Sequence, residues 1–110
     1  MPTAPTEALA ELASVLGEDN VQTLVRTFLR DFPASMQELA STDRKNQHRV
    51  AHSLKSNSRL MGAMTLSEYL AALEKRLEPE NAPGVTAEEL AKIRTEFEAI
   101  AGPLRVFVGP

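Results

Sequence analysis

The stretch from Asp19 to Ala40, DNVQTLVRTFLRDFPASMQELA, decides the fold class. Its apolar residues Val21, Leu24, Val25, Phe28, Leu29, Phe32, Met36 and Leu39 recur at the three- and four-residue spacing that puts them along one side of an α-helix. Pro33 interrupts the stripe. Proline lacks an amide hydrogen and crowds the preceding turn, so a bend is expected near Asp31 and Phe32. Because the stripe resumes at Met36 and Leu39, the helix is expected to bend rather than stop.

The same period extends outward in both directions. Upstream, Thr6 is placed to cap a short helix carrying Leu9, Leu12, Val15 and Leu16 on one side, with Gly17 as its terminator. Downstream, the polar run Ser41 to Asn46 reads as a turn and a capped start, and a third helix carries Val50, Leu54 and Met61 as far as Gly62. Thr65-Leu66-Ser67-Glu68 has the pattern of a capping box, opening a helix with Leu66, Tyr69, Leu70, Leu73 and Leu77, which the loop Pro79 to Gly84 ends. A second such box, Thr86 to Glu89, opens the last helix, with Leu90, Ile93, Phe97 and Ile100 inward and Gly102-Pro103 as its stop. No stretch alternates apolar with polar long enough for a strand. The expected fold is all-α: an antiparallel up-down-up-down four-helix bundle with the short first helix as a lid. One domain is expected over residues 1–110, with the bundle core at about 6–101 and a tail at 102–110. The apolar tail residues Leu104, Val106, Phe107 and Val108 either pack back on the bundle or serve a partner.

Composition narrows the function. The chain has 110 residues, 12 Lys and Arg against 15 Asp and Glu, and no Cys, which excludes thiol catalysis and thiolate metal sites. It is too short for a complete ATP-driven kinase, and no Gly-rich phosphate loop or acidic magnesium cluster is evident. No apolar run of about 18 residues spans a membrane, and the start Met-Pro-Thr-Ala-Pro does not read as a secretory signal, so the cytoplasm is the expected compartment.

Charge is unevenly distributed. Residues 43–62 hold five Lys or Arg and one Asp, a net of +4, so the remainder carries −7 to give the total of −3. On a helix wheel with His52 at zero, Val50, Leu54 and Met61 fall at about 160°, 200° and 180°. The core therefore lies opposite His52, while Lys45, His48, Arg49, Lys55, Ser56 and Arg59 lie within about 60° of it. An imidazole among cations stays largely neutral near pH 7 and keeps a ring nitrogen free as a nucleophile. Such a ring can accept a phosphoryl group, whose transfer needs positioning and cations around the equatorial oxygens, and Lys55, three residues on, supplies a cation. His48 and His52 also have the i, i+4 spacing of a metal pair, but that face of the helix lacks a carboxylate and Arg49, Lys55 and Arg59 repel a cation. No aromatic residue is interleaved with the basic stripe to stack on bases, so nucleic acid is not the expected partner.

The segment Ala51 to Ala63, AHSLKSNSRLMGA, followed by Leu66 and by Leu73-Glu74, resembles the signature of histidine-containing phosphotransfer (HPt) domains of multistep two-component phosphorelays. Leu16-Gly17, the run Phe28 to Pro33 and the Asp43 turn extend the likeness over about residues 7–78, with the last helix matching only in kind. The resemblance implies that His52 is the phosphorylated histidine and that Lys55 assists the phosphoryl group. Ser56 stands where the family most often has glycine, and its hydroxyl can hydrogen-bond the imidazole or the phosphate. Leu60, at about 80° from His52 on the wheel, stands where a polar residue is expected and adds apolar contact to a docking surface. On this reading His52, Lys55 and Ser56 carry the chemistry, while His48, Arg49, Arg59 and Leu60 face the partner.

The resemblance further implies a phosphocarrier without kinase activity or a cofactor of its own. Its partners are receiver domains of response regulators and a hybrid sensor histidine kinase, with Mg²⁺ supplied by the receiver. A monomer is expected. The second reading is a helical scaffold that binds a receiver or another partner through the same basic face without being phosphorylated.

Overall fold

Five α-helices take up the periodic stretches: α1 Glu7–Leu16, α2 Glu18–Ser41, α3 Arg44–Leu60, α4 Met64–Arg76 and α5 Ala87–Val108. The computed structural model describes residues 4–109, among which there is no strand; Met1 to Thr3, read above for a signal, and the last tail residue, Pro110, lie outside them. α2 packs on α3 and α5, and α4 also packs on both, so these four helices close a ring of contacts around one core, while α1 lies on α2. Phe28, Phe32 and Phe97 meet at its centre, the last two stacked with ring centroids 4.2 Å apart.

Two helix starts follow the capping residues read from the sequence, and a third, within the polar run Ser41 to Asn46, is capped by Asp43. Thr6 accepts from the Leu9 amide, Asp43 from the Asn46 amide, and Thr86 with Glu89 forms a reciprocal capping box. The expected box at Thr65 to Glu68 does not form. α4 begins at Met64, with Ala63 as its cap residue and no side-chain cap, so Thr65 already lies inside the helix. Ser67 instead donates to the Lys55 carbonyl at 3.2 Å, tying α4 to α3.

Both helix prolines are passed without a break. α2 runs through Pro33, and α5 runs through Gly102 and Pro103 to Val108 where a terminator was expected. A mid-helix proline costs about 3 kcal/mol, whereas fully burying one large apolar side chain returns about 1.5–3 kcal/mol. Phe32 just before the α2 proline, Met36 and Leu39 beyond it, and Leu104 and Phe107 in α5 are all buried. The apolar tail therefore packs as helix, and Arg26 donates to the Val108 carbonyl at 3.0 Å to close its last turn. Among the apolar tail residues Leu104, Val106, Phe107 and Val108, Val106 is the exposed one, at 74%. In α1 the expected apolar side is only partly used: Leu9 is fully buried, but Val15 and Leu16 are exposed.

Gln47, buried at the start of α3, holds two connections together. Its Nε2 donates to the Leu39 carbonyl at 2.9 Å and its Oε1 accepts from the Val85 amide at 3.1 Å. Arg76 likewise pairs with Glu89 and donates to the carbonyls of Pro83 and Gly84, fixing the loop between α4 and α5.

The turn from α3 into α4 has one critical position. Gly62 has φ of +77°, which disfavours any side chain, and a Cβ there would lie 2.5 Å from Thr6 Oγ1. Thr6 cannot easily retreat, because its hydroxyl donates to the Met61 carbonyl at 3.0 Å while capping α1. Gly62→Ala is expected to cost at least about 2 kcal/mol, read as a lower urea midpoint.

Candidate functional site

α3 buries Gln47, Val50, Ala51, Leu54 and Ser58 and turns the opposite face outward. His52 stands in the middle of that face with 60% of its side chain exposed, as the helix wheel places it. Its surroundings are not purely cationic, however. The nearest charged group is the carboxylate of Glu74 on α4, whose Oε2 lies 2.6 Å from His52 Nδ1. The other oxygen of the same carboxylate, Oε1, accepts from Lys55 Nζ at 2.6 Å. One carboxylate thus spans the imidazole and the ammonium.

Glu74 is well placed to stay ionised. Burial of its side chain raises the carboxyl pKa, but the hydrogen bonds from Lys55 and His52, with the charges behind them, outweigh it and hold the group below the ordinary carboxylate value. An ionised carboxylate has no proton to give, so in the neutral ring Nδ1 is the N–H donor and Nε2 keeps the lone pair. Nε2 has no hydrogen-bond partner among the described residues. The two ring nitrogens point from different edges of the imidazole, so with Nδ1 aimed at α4, Nε2 faces away from α4 toward solvent. The arrangement orients the ring and leaves Nε2 without a partner among the described residues, which is what a nucleophilic imidazole would need.

The other residues expected at the site occupy varied surroundings. Ser56 is exposed on the same stripe as His52. Arg59 and Leu60 are exposed and, with Ser56, line an open groove against Leu12, Val15 and Leu16 of α1. Arg49 is already engaged, its guanidinium 3.0 Å from Glu38 and hydrogen-bonded to Asn46. His48 is half-buried, and its Nε2 is enclosed without a hydrogen-bond partner. The carboxylate absent from α3 arrives from α4, yet no three His, Asp or Glu side chains converge as a metal site among the described residues.

Sequence reading noted Glu74 within a motif but gave it no role. A signal was present: Glu74 sits at about 80° from Leu66 on the α4 wheel, at the edge of the buried stripe of Leu66, Leu70, Leu73 and Leu77. A carboxylate at such an edge faces the neighbouring helix, here the most basic in the chain.

The depressed carboxyl of Glu74 makes a pH-dependent contribution to stability. It is fully present above the ordinary unfolded value of about 4.5 and is lost as pH falls through the lower folded value. Glu74→Gln is expected to cost about 1 kcal/mol at pH 7. Urea unfolding across a pH series should show this gap closing below about pH 4.5; a gap constant down to pH 3 would contradict the pairing.

Comparison with known proteins agrees with this geometry. The family model for the Hpt domain matches residues 23–102. The match starts within α2 and reaches into α5, so the last helix belongs to the likeness, whereas residues 7–22, counted in it from sequence, lie outside. Neither a curated protein nor a solved structure matches the chain. An all-helical bundle presenting an oriented histidine, with the family model spanning most of its length, establishes that the chain belongs to the Hpt domain family.

Proposed function

We infer that this chain is a phosphocarrier rather than a kinase, because it belongs to the Hpt domain family, whose members carry phosphoryl groups on histidine in two-component relays. We propose that this chain takes a phosphoryl group on His52 Nε2 from the phosphoaspartate of a receiver domain and passes it to a receiver aspartate. The supporting observation is the Glu74 bridge, which holds Nδ1 and leaves Nε2 free. The Nε2 lone pair attacks phosphorus, forming the P–N bond as the P–O bond to the aspartyl carboxyl breaks, and the receiver leaves with a free carboxylate. The ring gains positive charge as Nε2 becomes substituted, and the Glu74 carboxylate against Nδ1–H offsets it. Onward transfer runs the same step in reverse.

Lys55 assists by fixing Glu74 against the ring. The magnesium ion in such a transfer belongs to the receiver, so the carrier needs no cofactor of its own. His48, Arg49 and Leu60 border the face that a receiver covers, and a basic face speeds encounter with an acidic one. The ring of helix contacts fits an antiparallel up-down-up-down bundle with α1 as a lid, acting as a cytoplasmic monomer that receives phosphate from a hybrid sensor kinase. No helix among the described residues is long and apolar enough to cross a membrane.

Incubation with phosphorylated receiver domains and Mg²⁺, followed by intact mass and site mapping, tests this reading. Phosphate is expected on His52 and absent from His52→Gln, and Glu74→Ala is expected to slow transfer about tenfold through loss of ring orientation. Receiver binding without phosphate on His52 would favour the scaffold and overturn the carrier.

A further inference from the structure

The cations of α3 are unequally available. Arg44 donates to the carbonyls of Leu77 and Glu78, Arg49 pairs with Glu38 at 3.0 Å, and Lys55 pairs with Glu74 at 2.6 Å. Lys45 and Arg59 make no ion pair among the described residues. Both lie seven positions from His52, about 10 Å along the helix and on its stripe. Direction separates them. Side chains on an α-helix tilt toward its N-terminus, so Arg59 leans back over His52 while Lys45 leans away. Ser56, four positions after His52, leans the same way as Arg59.

The ring orientation points to the same residues. Glu74 holds Nδ1 on the α4 side, so a phosphoryl group on Nε2 projects away from α4, and away from Lys55 Nζ, which Glu74 also holds. Ser56 and Arg59 line the groove on the α1 side, to which Glu11 brings a carboxylate without pairing with Arg59. A dianion placed near Lys55 meets the Glu74 carboxylate as well, so little of the Lys55 charge is left for it.

We propose that Arg59 and Ser56, rather than Lys55, form the principal anion-holding pair for the phosphoryl group on His52: the Arg59 guanidinium donates to two phosphoryl oxygens and the Ser56 hydroxyl to the third. This rests on the reading of His52 as the phosphoacceptor. It moves Arg59 from the docking rim to the transferred group and gives the serine a task that a glycine could not perform.

A partner-independent experiment tests the pair. Phosphoramidate transfers its phosphoryl group to an accessible imidazole with release of ammonia, so the isolated protein is phosphorylated with it and the site mapped to His52 by mass. The phosphoryl titration midpoint is then followed by ³¹P NMR, and the phosphohistidine lifetime is measured. Arg59→Gln is expected to raise the midpoint by about half a pH unit and to shorten the lifetime. Ser56→Gly should shift the midpoint the same way by less, and Lys55→Gln by less than Arg59→Gln. A midpoint that moves with Lys55→Gln and not with Arg59→Gln overturns the pair while leaving the carrier intact. So does an Arg59→Gln effect confined to the receiver concentration needed for half-maximal transfer, which marks a docking residue. Absence of phosphate on wild-type His52 from both phosphoramidate and phosphorylated receivers overturns the pair and the carrier together.

Discussion

The carboxylate of Glu74 occupies the seam between α3 and α4 and makes two contacts there, one to His52 Nδ1 and one to Lys55 Nζ, each at 2.6 Å. An exposed histidine on a helix turns freely about two side-chain bonds and exchanges its proton between two nitrogens. The carboxylate removes both freedoms by fixing the edge that faces α4 and by selecting the nitrogen that carries hydrogen. The same contact sets limits on the fold. It requires α4 to lie beside α3 in one register, which the tight Gly62 turn, the Ser67 hydroxyl on the Lys55 carbonyl and the buried leucines of α4 together impose.

Charge on α3 makes sense within that constraint. A helix with five cations and no acidic residue repels itself, and several of its cations are relieved locally, by Glu74, by Glu38 and by carbonyls at the end of α4. Relief is uneven along the exposed stripe: Arg44, Arg49 and Lys55 are engaged, while Lys45 and Arg59 make no ion pair among the described residues. On the proposed reading, a phosphoryl dianion on His52 is held by Arg59 and Ser56, which line the groove against α1. The bundle supplies a rigid base for this polarity.

Much of this was legible from residues close together in the chain. The apolar stripe of α2, the caps at Thr6 and Thr86 and the outward face of His52 all depend on neighbours within a turn or two, and each stands where its spacing placed it. What escaped depends on contacts between helices. Glu74 meets His52 across 22 positions of sequence, and no local pattern registers that distance. Gly102-Pro103 carries the usual stop signal, yet burial of Leu104 and Phe107 outweighs it. Thr65 and Glu68 had the spacing of a capping box, but the Gly62 turn starts α4 one residue before Thr65 and leaves them inside the helix. Val15 and Leu16 continue an apolar side for which α2 and α3 provide no cover, so they remain exposed.

The central claim is that Glu74 decides which nitrogen of His52 is the nucleophile. Long-range ¹H–¹⁵N correlation of the His52 ring, at a pH where the ring is neutral, reads this directly in the unphosphorylated protein. The account predicts hydrogen on Nδ1 and a bare Nε2 in the wild-type chain, with the preference lost in Glu74→Ala. A wild-type ring with hydrogen on Nε2, or a preference unchanged by removing Glu74, would contradict it.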